Sequence, residues 1–255
     1  SGKIAMAGID VFIKEPATSH PLLDLPNVTV TAHLGANTKE SQREISVQAA
    51  NNAIESARGI SYPNALNLPI DESKIPHFVK PYIELTQKMA FLLAQLSKSE
   101  IRSINITAEG EISEYLDSLQ TFATVGVLAV SCGDEVNYVN ANFIAKEKGI
   151  DLTTSEFSNH SGYQNKVSIN ITTPTGVKTI SGTVFNEDVQ RIVEINGFPL
   201  DIEPKGKMII MRNHDVPGVI GEVGKILGNN NINIADFRLS RGKDGALAVI
   251  LIDEK

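Results

Sequence analysis

The chain has 255 residues, 42% of them hydrophobic and 21% charged, close to the roughly 45–50% and about 25% of ordinary globular proteins, which argues against disorder, collagen and a disulfide scaffold. No apolar run approaches the roughly 20 residues that span a bilayer, so a soluble protein with no membrane partner is expected, and the single cysteine, Cys132, which cannot form an internal disulfide, points to a reducing cytoplasm. Net charge is −7, and the acid excess falls in residues 61–205, which hold 11 basic and 18 acidic residues; with no basic stripe and no tryptophan, nucleic acid is a poor partner.

In chain order, Ile4 to Ile9 is an apolar run that continues into Asp10, Val11 and Phe12 and reads as a buried strand ending in a polar loop. The chain is therefore expected to open inside a core. A proline-bearing loop leads to a second short strand, 27–31, and then directly to His33-Leu34-Gly35-Ala36. A long helix follows, capped by Asn37 or Thr38 and ending at Arg58-Gly59, with Ile45, Val47 and Ile54 among its apolar positions. Residues 59–81 hold four prolines and read as a linker.

A second helix is expected over 82–96, a strand over 101–108, a helix over 113–131 and another over 143–148, then strands at 167–172, 178–185 and 199–203; His160 reads as a loop residue. This middle region is an α+β unit with its own core. From residue 207 the pattern is strand, helix, strand, strand, and the last sheet lacks the helix and strand that would cover it, so the carboxyl end reads as cut. The domains expected are 1–77, 78–205 and 206–255.

Two constellations carry chemistry. Asp10, Glu15 and His33 lie on loops after adjacent strands, where a carboxylate can fix an imidazole tautomer and raise its pKa, leaving the other ring nitrogen to exchange a proton; taken alone, a structural or solvated His33 is the plainer reading. Asn213, Asp215 and the Pro217-Gly218 pair end a strand and open a helix, with Asp215 able to cap it; free N–H groups there suit a small carboxylate, and a capped helix without ligand is the plainer reading. No metal ligand set is assigned.

The strings from Ala7 to Pro16 and from Leu23 to Thr38 resemble the closing stretch of the nucleotide-binding domain in the NAD-dependent D-2-hydroxyacid dehydrogenases, most closely its phosphoglycerate dehydrogenase branch. The resemblance implies NAD as cofactor, with Asp10 contacting the nicotinamide carboxamide and His33, Leu34, Gly35 and Ala36 lining the nicotinamide. It implies His33 as the proton-exchanging histidine and Glu15 as the carboxylate that polarises it. Position 32 is Ala where the family usually has Pro, and 37 is Asn where Ser is common. No G-x-G-x-x-G fingerprint is present: Gly218, Gly221, Gly224 and Gly228 have the wrong spacing. The chain by itself is accordingly expected to be an inactive part of a longer enzyme.

The string around Asn213 and Asp215, with Asn233, looks like an ACT domain; in that family these three positions contact the effector L-serine, often across a dimer interface. Strings such as Val136 to Ala141, Ser181 to Phe185 and Arg191 to Gly197 resemble the intervening domain of long phosphoglycerate dehydrogenases, where Arg191 stands at a basic position serving an anion site; Glu203 replaces another basic contact. The fold implied is α/β and α+β: the tail of a Rossmann-type domain, an α+β intervening domain, and a βαβ-type, ferredoxin-like ACT domain that is incomplete. The partners implied are 3-phosphoglycerate, L-serine and further copies of the chain through the intervening and ACT domains. A second reading, from a different class, is a non-catalytic module that binds amino acids and assembles.

Overall fold

The computed structural model describes residues 3–58, 75–97, 99–156, 161–242 and 245–253. The chain divides into two compact units, Ser1–Leu66 and Asn67–Lys255. Most of the expected linker, and His160, lie outside the described residues.

In the first unit, β1 (Ala7–Ile9) pairs in parallel with β2 (Val28–Val30), Ala7 opposite Val28 and Ile9 opposite Val30. Parallel pairing brings the carboxyl ends of both strands to one edge. Asp10 and His33 leave from that edge. Helix α1 (Lys39–Ala57) begins at Thr38, whose hydroxyl accepts the N–H of Ser41 at 3.1 Å, so Thr38 rather than Asn37 is the cap.

The expected buried strand is corrected in one respect: only three residues pair, and Ile4 and Met6 stay 66% and 75% exposed. A sheet of two three-residue strands covers little, and among the described residues of this unit no second layer lies over it. The apolar positions Ile45, Val47 and Ile54 of α1 are exposed for the same reason.

The second unit holds α2 (Val79–Leu96), β3 (Ser103–Glu109), α3 (Leu116–Cys132), α4 (Ala141–Glu147), β4 (Asp151–Glu156), β5 (Lys166–Thr173), β6 (Gly176–Phe185), β7 (Val189–Ile195) and β8 (Phe198–Ile202). Helix α2 starts at Val79, inside the segment read as linker, and Pro81 falls in its first turn, where a missing N–H breaks no helical bond. The sheet order is β4-β3-β5-β6-β7-β8, with β3 and β4 parallel and the other neighbours antiparallel. Alternation along β3 sends Ile104, Ile106 and Ala108 to one face, where they meet Leu85, Met89 and Leu93 of α2 and Leu119 and Leu128 of α3 in one core.

Two glycines set the spacing of these layers. A Cβ on Gly126 of α3 would lie 2.4 Å from the carbonyl oxygen of Gln87 in α2, and one on Gly182 of β6 would lie 2.6 Å from the sulfur of Met89. The segment Glu111–Glu135 is long and apolar enough, by length and composition, to cross a membrane. Its Leu119, Ala123, Val127 and Leu128 are buried in the protein core, which accounts for that apolar character.

The final elements are β9 (Lys207–Asn213), α5 (Val219–Asn229), β10 (Ile234–Gly242) and β11 (Gly245–Ile252), with the antiparallel sheet ordered β10-β11-β9. Leu247 and Val249 of β11 are buried in the same core as α2 and α3, and Met208 and Ile210 pack against it. Phe198 of β8 closes the junction. It is 7% exposed, a Cβ on Gly242 would lie 2.9 Å from its ring, and the Arg212 guanidinium stands 5.7 Å from the ring centre.

Candidate functional site

Of the three side chains expected to act together, Glu15 and His33 meet in the first unit, and Asp10 binds the backbone of the turn that carries His33. After β1 the chain turns so that the N–H of Phe12 donates to Glu15 Oε1 at 3.0 Å, which fixes the carboxylate. Its other oxygen, Oε2, lies 2.9 Å from His33 Nδ1. The ionised carboxylate accepts, so Nδ1 carries the proton and Nε2 is the nitrogen turned to other business; the imidazole is 56% exposed and therefore reachable. Glu15 raises the pKa of His33 above the ordinary histidine value by hydrogen bond and by charge. The Phe12 N–H and then His33 hold the Glu15 carboxyl below its usual range. An exposed imidazole with one nitrogen tied to a carboxylate is able to exchange a proton at the other.

Asp10 stands beside this pair. Its Oδ1 accepts the Thr31 hydroxyl and, at 2.7 Å, the N–H of Leu34; its Oδ2 accepts the N–H of Gly35 at 2.7 Å. These donors, Thr31 first, hold the Asp10 carboxyl below its usual value. The expected nicotinamide-lining residues Leu34 and Gly35 are thus bound to Asp10 by their backbone. Ala36 is tied elsewhere: its carbonyl accepts the Gln42 side-chain amide at 2.8 Å and joins the loop to α1.

In the second unit, Asn213 ends β9, Asp215 lies in the loop before α5 and Asn233 immediately precedes β10. Asp215 does not cap α5, correcting the reading made from the sequence. The cap is Gly218 at φ +97°, with no side-chain bond. The Asp215 carboxylate instead meets Arg241 Nε at 3.1 Å. Asn213 is in register with Ala246, and Ala246 with Arg241, so Asn213, Asp215 and Arg241 share one end of the sheet. The Oδ1 of Asn213 is buried without a hydrogen-bond partner.

Asn233 lies at the opposite end, where its side chain donates to Asp253 and its carbonyl accepts the Asp253 N–H at 3.1 Å. Arg241 stands eight positions further along the extended chain, about 25 Å away at roughly 3.3 Å per residue. Within one chain the three expected effector residues are not brought together.

Arg191 is engaged by acid. Its Nε lies 3.3 Å from Asp201 and its Nη1 3.6 Å from Glu203, and Glu203 also pairs with Lys205 at 2.7 Å. Lys205, then Arg191, lowers the Glu203 carboxyl. The guanidinium faces two carboxylates, which an anion at Arg191 would have to displace. Sequence reasoning overlooked Thr31 and Arg241. Thr31 sits two residues before His33 and was legible only as a strand end; Arg241 became relevant only through strand register.

Three family models match in succession: the D-isomer specific 2-hydroxyacid dehydrogenase NAD binding domain over residues 1–35, the D-3-phosphoglycerate dehydrogenase intervening domain over 78–196, and the ACT domain over 207–255. Curated relatives named D-3-phosphoglycerate dehydrogenase match along nearly the whole chain. That of Bacillus subtilis is 36% identical over 253 residues, covering 99% of this chain and 48% of the relative. Those of Archaeoglobus fulgidus and Synechocystis are 32% and 30% identical, over 100% and 94% of this chain and 49% and 44% of theirs. The chain spans about half the length of the curated relatives it matches.

Proposed function

We propose, from the three consecutive domain matches and the relatives that span the whole chain, that the chain belongs to the D-3-phosphoglycerate dehydrogenase family and carries the proton-transferring pair and the regulatory part of an NAD-dependent cytoplasmic enzyme that oxidises 3-phosphoglycerate to 3-phosphohydroxypyruvate toward L-serine. The observation that carries this reading is the His33–Glu15 pair at 2.9 Å, with Nδ1 inward. In the oxidation, Nε2 of His33 takes the proton of the C2 hydroxyl while Glu15 holds the Nδ1 hydrogen and stabilises the imidazolium that forms. NAD, when bound, would supply the hydride acceptor for C2.

The residues present suit the nicotinamide end of that cofactor. Asp10 Oδ2 accepts one N–H, from Gly35, and a carboxylate oxygen has room for a second donor such as a carboxamide N–H. Glycine at 35 leaves that oxygen uncovered, because a Cβ there would begin 3.0 Å from Oδ2. Leu34 and Ala36 would flank the ring.

The ACT domain would take L-serine at Asn213, Asp215 and Asn233. Because one chain holds Asn233 about 25 Å from the other two, a complete site would join Asn213 and Asp215 of one copy to Asn233 of another, so the assembly proposed is a homo-oligomer. The test is an assay of the protein that carries this chain: 3-phosphoglycerate-dependent NADH formation, slowed by added L-serine. Turnover of some other 2-hydroxy acid with none of 3-phosphoglycerate would overturn the substrate, and a rate indifferent to L-serine would overturn the sensing.

A further inference from the structure

The backbone N–H groups of three consecutive residues converge on Asp10. His33 donates to the Asp10 carbonyl at 3.0 Å, Leu34 to Oδ1 at 2.7 Å and Gly35 to Oδ2 at 2.7 Å. His33 itself stands at φ +55°, a left-handed conformation uncommon for a residue with a Cβ, and it needs its surroundings to hold it there. Asp10 is the residue that does so, and it must be oriented in turn.

The orienting group is Thr31. Its N–H donates to the Ile9 carbonyl at 3.0 Å, which extends the β1–β2 pairing by one residue and anchors Thr31 to the sheet. From that anchor its hydroxyl donates to Asp10 Oδ1, the same oxygen that receives Leu34. Both oxygens of the carboxylate are then aimed, one at each N–H of the turn. The hydroxyl is also the strongest of the influences that keep Asp10 ionised.

We propose that Thr31 is a positioning residue for His33: its hydroxyl, fixed to the sheet edge, orients the Asp10 carboxylate so that the carboxylate holds the His33-Leu34-Gly35 turn and keeps the imidazole on Glu15. The proposal rests on the reading of His33 as the proton-transferring group, yet its readout is separate from turnover. Thr31 would touch neither substrate nor cofactor and would act through Asp10 alone.

The test is NMR on the intact chain, following amide exchange at Leu34 and Gly35 and the titration of the His33 ring. Thr31→Val removes the hydroxyl with little change of shape. It is expected to speed exchange at both amides by about tenfold or more, the scale of losing hydrogen bonds to a charged group, and to lower the His33 midpoint toward its ordinary value. Thr31→Ser is expected to restore both. Wild-type exchange rates and an unmoved His33 midpoint in Thr31→Val would overturn the proposal. If Thr31→Val unfolds the first unit, the wild-type chain still decides: protection at Leu34 and Gly35 should be lost as acid protonates Asp10, before the β1–β2 amides are released. Release of all of them together would overturn it. Full turnover in a His33→Gln enzyme would remove the catalytic reading and leave the exchange result standing.

Discussion

At the scale of single residues, His33 and Glu15 make a pH-dependent unit. Glu15 is held below the usual carboxylate range and His33 above the usual histidine value, so the pair is fully charged between those limits. Its contribution to the fold is lost as pH falls through the lowered Glu15 value, and again as pH rises through the raised His33 value. For proton acceptance the imidazole must be neutral, so the raised pKa moves the acid limb of the oxidation profile upward. Glu15→Gln removes the charge and is expected to shift that limb of kcat/KM to lower pH and to reduce kcat; an unchanged limb would separate Glu15 from the chemistry. The pairing was legible through the resemblance of the strings around Asp10, Glu15 and His33 to a known family; residue type and order alone left His33 open to a structural or solvated reading. The Asp10 hydrogen bonds were not, since they depend on a turn in which His33 takes positive φ.

At the scale of elements, α2 packs against both α3 and the sheet in the core of the second unit. Leu85 is fully buried between helix and sheet, and Leu85→Ala is expected to cost about 2–5 kcal/mol by urea unfolding. Gly126→Val should also destabilise, by roughly 1–3 kcal/mol, because a Cβ would meet the Gln87 carbonyl oxygen at 2.4 Å. A neutral Gly126→Val would contradict the close approach of these helices. The helices were readable from their 3.6-residue apolar period. Strands β4 and β7 went unread for separate reasons. β4 (Asp151–Glu156) is a polar edge strand in which Leu152 alone is apolar, so no alternation marks it. In β7 a register shift between Ile192 and Glu194 sets Ile192 and Val193 side by side, which breaks the two-residue period.

At the scale of the molecule, the sequence showed the order of three parts but not how the last two join. The junction is made by Phe198, Gly242 and Arg212 and by a core shared with Leu247 and Val249. None of these has a periodicity that reveals a partner in another sheet. The effector residues have the same character: their nearness in the family motif conceals the length of β10 that parts Asn233 from Asp215. A mixing experiment addresses this directly. Chains carrying Asp215→Ala or Asn233→Ala should each fail to bind L-serine in calorimetry, while a re-associated mixture should recover binding at one site per mixed pair, because the intact Asp215 of one chain meets the intact Asn233 of the other. A mixture as inert as its components would place the whole site within a single chain.

Whether His33 transfers the proton in an NAD-dependent oxidation of 3-phosphoglycerate is measured by the rate of NADH formation by the protein carrying this chain, wild type against His33→Ala. A fall of about 10²–10⁴-fold in kcat with NAD binding retained is expected; a His33→Ala enzyme that turns over at the wild-type rate would rule His33 out as the proton-transferring group.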